Sequence, residues 1–356
     1  MRGWHCLALA GALSLIAASA AADDTNPPAA ASSPAPAAAD NARDQALQSF
    51  QRDMVSVLAL RATAQPLLGA ALLARPLPEQ TKTSSFHALI NRAVAASDAG
   101  AAVQWVRLAD CDEKGGTCPN AAALRKLTEE APDNAAVWLL KLDTDTRDMK
   151  SAAARADLAK AAAGKIYDDY TGSSIAALAS VVDALPPPPA TQGAAGPIGV
   201  QALIVLANAR LQPQPALPPV AKLCENAGDD AGLKGDCLKL AKLLEWGSSP
   251  LSRSLGLHLY QVLGDPAEQA NAQEQRRDLI WQVQNYSQLA LHAPDNAAFA
   301  RQLLAAARQG GTEMSQIIAV LRASGISTTA PSSWQPTPPQ APPPVEESAP
   351  AAAHSP

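Results

Sequence analysis

The stretch TEEAPDNAAVWLL, Thr128–Leu140, decides how this chain is read. Pro132 cannot continue a helix, and it pushes Ala131 before it away from helical geometry. Asp133 or Asn134 then offers a side-chain oxygen to the free N–H groups at the start of a new helix. From Ala135 onward the residues are strong helix formers. The hexapeptide APDNAA therefore encodes a stop, a reversal and a start. It recurs at Ala293–Ala298, inside LALHAPDNAAFARQLLAAA, with helical sequence on both sides and His292 in the last turn of the preceding helix. Both copies read as joints between antiparallel helices, and the fold class that follows is all-α.

The rest of the chain agrees. Leu47, Phe50, Met54, Val57, Leu58 and Arg61 recur at three- and four-residue steps, the period of one helix face. Asp265, Pro266 and Glu268 have the spacing of an N-cap, a first helical residue and the third position of a capping box. Leu279, Ile280, Val283, Tyr286 and Ala290 then mark an apolar face. IGVQALIVLANARL, from Ile198, is rich in Ile and Val, yet Leu203, Leu206 and Arg210 follow helical steps. No convincing alternating strand pattern occurs.

A second period runs through the first half. AAVQWVRLAD begins at Ala101 and AAVWLLKLD at Ala135, 34 residues apart, and Trp105 and Trp138 are 33 apart. This resembles the tetratricopeptide (TPR) repeat, over Ala99–Gly164 and more loosely over Ala293–Ser324. Pro132-Asp133-Asn134 resembles the joint between repeats, Trp138 the first-helix aromatic, and RDMKSAAARADLAKAAA (Arg147–Ala163) the turn and second helix. Leu142 and Asp145 stand where that family has a small residue and a tyrosine. The resemblance implies helix pairs stacked as an α-solenoid, degenerate and not a regular array, with a groove that takes a peptide or protein segment.

The two ends have a different character. Arg2, an apolar run from Leu7 to about Ala18 and small residues at Ala18–Ala22 form the pattern of a secretory signal peptide, cleaved near Ala20–Ala22. The run falls short of the ~20 residues of a spanning helix, so no stable membrane anchor is expected after cleavage. Residues 23–42 read as a disordered Ala/Pro lead-in and 327–356 as a Pro-rich disordered tail. The P-x-x-P runs of that tail either dock in an aromatic groove or act as a spacer. A Pro/Gly-rich stretch at 186–197 reads as a linker between an N-terminal helical lobe, 43–185, and a C-terminal lobe, 198–326. The net charge is −5 and becomes one unit more negative when Arg2 leaves with the leader. No Lys/Arg block is present, which argues against nucleic-acid binding. The expected location is a bacterial periplasm or secretome.

After cleavage the cysteines are Cys111, Cys118, Cys224 and Cys237. In an oxidising compartment an even number implies disulfides, with three connectivities possible. The local pairs, Cys111–Cys118 and Cys224–Cys237, are the expected ones. DEKGGT between the first two supplies a reversal. In one continuous helix those two cysteines would lie ~10 Å apart along the axis, too far to bond. The spacings match no usual zinc site.

Chemical signatures are sparse. Tyr167-Asp168-Asp169-Tyr170 clusters two carboxylates between two phenols and is the most suggestive spot, though a turn after Gly164 is the simpler reading. Asp143, Asp145 and Asp148 begin like a calcium loop, but Arg147 and Ala154 stand where ligands are required. His87, His258 and His292 are dispersed, and no nucleophile elbow or phosphate loop occurs. No catalytic, metal or cofactor residues are assigned. The expectation is a non-enzymatic binding or scaffold protein of the cell envelope with an unidentified protein or peptide partner. The alternative is an exported hydrolase whose site forms only in the fold.

Overall fold

Asn134 and Asn296, the fourth residue of each APDNAA copy, both cap a helix. The computed structural model describes residues 41–78, 81–209 and 211–336 and the backbone of 36–40. Among these residues the chain forms α1 (Pro36–Leu58), α2 (Ala64–Ala74), α3 (Phe86–Ala95), α4 (Ala101–Arg107), α5 (Ala121–Glu130), α6 (Ala135–Arg147), α7 (Ser151–Ala162), α8 (Thr171–Ala179), α9 (Pro197–Ala209), α10 (Leu217–Glu225), α11 (Ala231–Leu244), α12 (Pro250–Leu263), α13 (Pro266–Leu291), α14 (Ala297–Gln309) and α15 (Glu313–Ala323). The described residues contain no strand, only an isolated bridge between Asn134 and Ile166. The protein is all-α. None of these helices is long and apolar enough to cross a membrane.

Local chemistry sets the helix ends. Asn134 Oδ1 accepts the Ala136 N–H at 3.1 Å to start α6. Asn296 Oδ1 accepts the Phe299 N–H at 3.0 Å to start α14, with His292 closing α13. At Asp265 the capping box is complete. Its carboxylate accepts the Ala267 and Glu268 N–H groups, and Glu268 accepts the Asp265 N–H, each at 2.9 Å.

Each joint also receives a second, distant loop. In the first copy the Ala135 N–H donates to Ile166 O at 2.8 Å. In the second, Pro294 O accepts the Ala195 N–H at 3.0 Å and Asp295 Oδ1 accepts the Ala194 N–H at 3.2 Å. A Cβ on Gly193 or Gly199 would stand 2.8 or 2.7 Å from Pro294 O, so only glycine permits this approach.

These ties correct the expected division into lobes. The stretch 186–197 is bound into the body, with Thr191 buried and its carbonyl accepting from Arg43 Nε at 3.4 Å. One core joins Met54, Leu72 and Ile90 to Leu178, Val205 and Leu304. A second joins Leu127, Leu139 and Leu158 to Val220, Leu240 and Leu259. Both cross the expected boundary. A smaller third core holds Leu257, Leu279, Met314 and Leu321. The described residues from Ala42 to Pro336 form one compact unit.

The ends differ from expectation too. Helix α1 already begins at Pro36, inside the expected lead-in. The tail is ordered through 336, and Ala330 is buried. The leader at 1–22, most of 23–42 and residues 337–356 lie outside the described residues.

Both local disulfides are present. Cys111 and Cys118 have Cα atoms 5.1 Å apart, and Cys224 and Cys237 5.7 Å. The second bridge links α10 to α11 and is fully buried. Closing a loop of that length restricts the unfolded chain by about 3 kcal/mol. The Cys224→Ala/Cys237→Ala variant is therefore expected to lose about 3 kcal/mol of stability in urea unfolding. Peptide mapping without reduction checks both pairings.

Candidate functional site

The Tyr167–Tyr170 cluster lies on the short connection between α7 and α8, and the first hexapeptide positions it. Lys165 N–H donates to Asp133 O at 2.8 Å. The Asn134 side chain then clamps the Asp168 backbone from both sides, donating from Nδ2 to Asp168 O at 2.7 Å and accepting the Asp168 N–H on Oδ1 at 2.9 Å. The same Oδ1 caps α6, so one buried asparagine fixes a helix start and a loop together.

Both carboxylates turn back onto their own chain. Asp168 Oδ1 accepts the Tyr170 N–H at 2.8 Å, and Asp169 Oδ1 accepts the Thr171 N–H at 3.2 Å. These are consecutive Asx turns, the local bonding that short acidic side chains favour. They hold Tyr170 in the left-handed region, at φ +55°, directly before α8. Its ring tilts against the buried Trp105 ring with centroids 5.4 Å apart.

Three further segments close around Asp169, which has no exposed surface. Ser248 Oγ donates to Asp169 Oδ1 and accepts the Asp169 N–H, both at 3.1 Å. Gln212 Nε2 donates to Asp169 O at 3.0 Å and to Thr171 Oγ1, while its Oε1 accepts from Ser174 Oγ. Met314 N–H donates to Ser248 O at 2.9 Å, and Gln316 Nε2 to Gly172 O at 3.2 Å. Asp169 Oδ2 is buried without a hydrogen-bond partner. Burial pushes the Tyr167 phenol well above its ordinary range, and the charges of Asp169 and Asp168 push it further. It stays a neutral phenol. Burial also raises the Asp168 carboxyl, against the opposing pull of the Tyr170 N–H.

The Oδ1 atoms of both carboxylates are thus taken up in bonding chain to chain. A neighbouring cavity of about 20 Å³, lined by Thr171, Ile175, Val205, Tyr286 and Gln316, has room for one water. His87 Nδ1 lies 2.8 Å from Asp110, and His258 Nε2 lies 2.7 Å from Glu225. Among the described residues no group of His, Cys, Asp and Glu is placed to hold a metal.

The aspartates of the failed calcium loop separate into ion pairs. Asp143 meets Arg147 at 3.3 Å and Asp148 meets Lys150 at 2.8 Å. Asp145 faces Asp157 of α7 across Lys141, whose Nζ lies 2.7 and 2.9 Å from them. Both carboxylates are buried, so the three residues form a clamp between α6 and α7. Burial pushes both carboxyls up. In Asp157 it prevails, while in Asp145 the hydrogen bond and charge of Lys141 outweigh it and leave the carboxyl below its ordinary value.

Sequence reading singled out Tyr167–Tyr170 and offered Asp133 or Asn134 as the cap of α6. It missed Gln212, Ser248 and Gln316. Each lies on another segment, with no local motif to announce it.

Large apolar side chains stand in water near this joint. The Ser248 N–H donates to Tyr167 O at 3.2 Å and so places 166–168 beside 246–249. On these segments and the start of α12, Trp246 is 73% exposed, Leu251 58% and Ile166 53%. The Arg253 guanidinium lies over the Trp246 ring at 5.9 Å and donates to Gly247 O at 3.0 Å.

Compared with protein-family models, curated proteins and solved structures, the chain matches none.

Proposed function

We propose that this chain is a non-enzymatic binding or scaffold protein of the bacterial cell envelope, exported by its leader and receiving a protein or peptide partner on a helical surface. The observation that carries the reading is Trp246. A tryptophan this exposed leaves a large apolar ring in water, and Ile166 and Leu251 add to the apolar surface nearby. Tryptophan dominates the energetics of partner surfaces, and exposed apolar patches mark them. The joint beneath is held by buried hydrogen bonds, which makes a rigid platform for such a face. The TPR-like reading of Ala99–Gly164 belongs to the same proposal. The consecutive helices α4–α7 and the joint at Pro132–Asn134 support it. Export is supported by the leader sequence and by both disulfides.

The test is site-specific crosslinking. With a photoreactive residue at position 246, the chain expressed in its own cell envelope is expected to give one reproducible adduct, identified by mass spectrometry. Trp246→Ala should leave stability within about 0.5 kcal/mol, as exposed substitutions do, and reduce partner recovery at least tenfold. Undiminished recovery, or no adduct with abundant folded protein, would remove the Trp246 face from the proposal.

A further inference from the structure

Helix α15 ends in a Schellman turn. Gly325, at φ +71°, donates to Arg322 O at 3.0 Å, and Ile326 N–H donates to Leu321 O at 2.9 Å. The chain then runs back along α13 as a strap, and one strip of that helix holds it. Trp281 Nε1 donates to Ser327 O at 2.8 Å and Gln282 Nε2 to Thr328 O at 2.7 Å. Asp278 Oδ1 accepts the Ala330 N–H at 2.9 Å. Arg277 donates to Trp334 O at 3.2 Å and to Pro331 O. Arg277, Asp278, Trp281 and Gln282 are spaced so that they share adjoining rows of one helix face.

Every one of these bonds goes to the backbone of the strap. The face therefore takes an extended segment without demanding most of its side chains. It is selective at two points. Ala330 is 5% exposed, which leaves room for a small residue only. Trp334 sets its ring edge-on to Trp281, with centroids 5.2 Å apart at 75°. Pro331 lies between them with no N–H to satisfy, and its carbonyl also accepts the Trp334 N–H at 2.9 Å. Proline restrains the segment before it docks and lowers the entropy lost on docking.

We infer that this face of α13 is a peptide-binding site for a segment of the form small residue–Pro–x–x–aromatic, and that Ser327–Pro336 of the same chain occupies it in cis. The partner is an extended segment of another protein with that pattern. The strap marks the ligand chemistry because it displays each contact the ligand would make. Its tether supplies an effective concentration in the millimolar range, so a free segment is held off until the strap is loosened. The inference deepens the binding-protein reading by naming a ligand class. It rests on that reading in kind and does not depend on the Trp246 face.

The test uses the full chain and a fluorescein-labelled peptide, STTAPSSWQP, followed by fluorescence polarisation. In the Ala330→Glu/Trp334→Ala variant the strap is displaced by steric conflict, by repulsion from Asp278 and by loss of the ring pair. This variant is expected to bind the peptide at least ten times more tightly than the wild-type chain. Adding Trp281→Ala should abolish the gain with helical circular dichroism unchanged, and a peptide with alanine for tryptophan should not bind. If the double variant loses helical signal, Trp334→Ala alone carries the same expectation. A helical, strap-released variant that binds no more tightly than wild type would overturn the inference. So would one that dimerises yet ignores the free peptide, because the site would then belong to a second copy. A crosslinking failure at position 246 bears on the other face and leaves this result standing.

Discussion

Asp169→Ala is expected to cost about 3–4 kcal/mol in urea unfolding followed by circular dichroism, whereas Asp169→Asn should stay within about 1 kcal/mol of wild type. Alanine removes the acceptor of the Thr171 N–H and the Ser248 hydroxyl. Both then sit in a buried joint without a partner, and each such group costs about 1–3 kcal/mol. Asparagine keeps the Oδ1 acceptor and places a neutral amide where the carboxylate has a buried oxygen without a partner. Equal losses in both variants would show that the negative charge, and not the acceptor, holds the joint. Neither variant losing stability would remove Asp169 from a structural role and reopen the cluster as a chemical site.

Gly172→Ala is expected to lose at least about 3 kcal/mol or to fail to fold. A Cβ there would lie 2.0 Å from Gly311 O and 2.9 Å from both Cα and C of Thr312. All of these are backbone atoms, so no side chain can yield. Helix α8 would have to move off the loop before α15 and break the 3.2 Å bond from Gln316 to Gly172 O. Overpacking of this kind typically costs 1–3 kcal/mol even where side chains can adjust. Gly235→Ala is the control. That glycine lies inside α11 with nothing within 4 Å of its would-be Cβ, so alanine should stabilise by about 0.5–1 kcal/mol. A mild Gly172 variant would mean that α8 and the α15 loop are not packed as closely as described.

What the sequence by itself determined is local. APDNAA could be read as a helix joint because a proline, the residue before it and a capping asparagine act within six residues. The Asp265 capping box and the two disulfides are equally short in range. The cuts at 186–197 and at 327 were drawn from composition, and tertiary structure overrode both. Proline and glycine leave only a short 3-10 turn, Pro189–Thr191, before α9 begins at Pro197, but they do not prevent order. Glycine lets 193–199 lie against Pro294, and the side chains of Arg277, Trp281 and Gln282 hold the strap to α13 by donating to its backbone carbonyls. The role of Tyr167-Asp168-Asp169-Tyr170 was decided by Asn134, Gln212 and Ser248. Gln212 is 43 residues from Asp169 and Ser248 is 79. At those separations neither periodicity nor spacing carries a signal. Only folding brings such donors together, and it encloses the most reactive-looking residues of the sequence in a buried hydrogen-bonded joint.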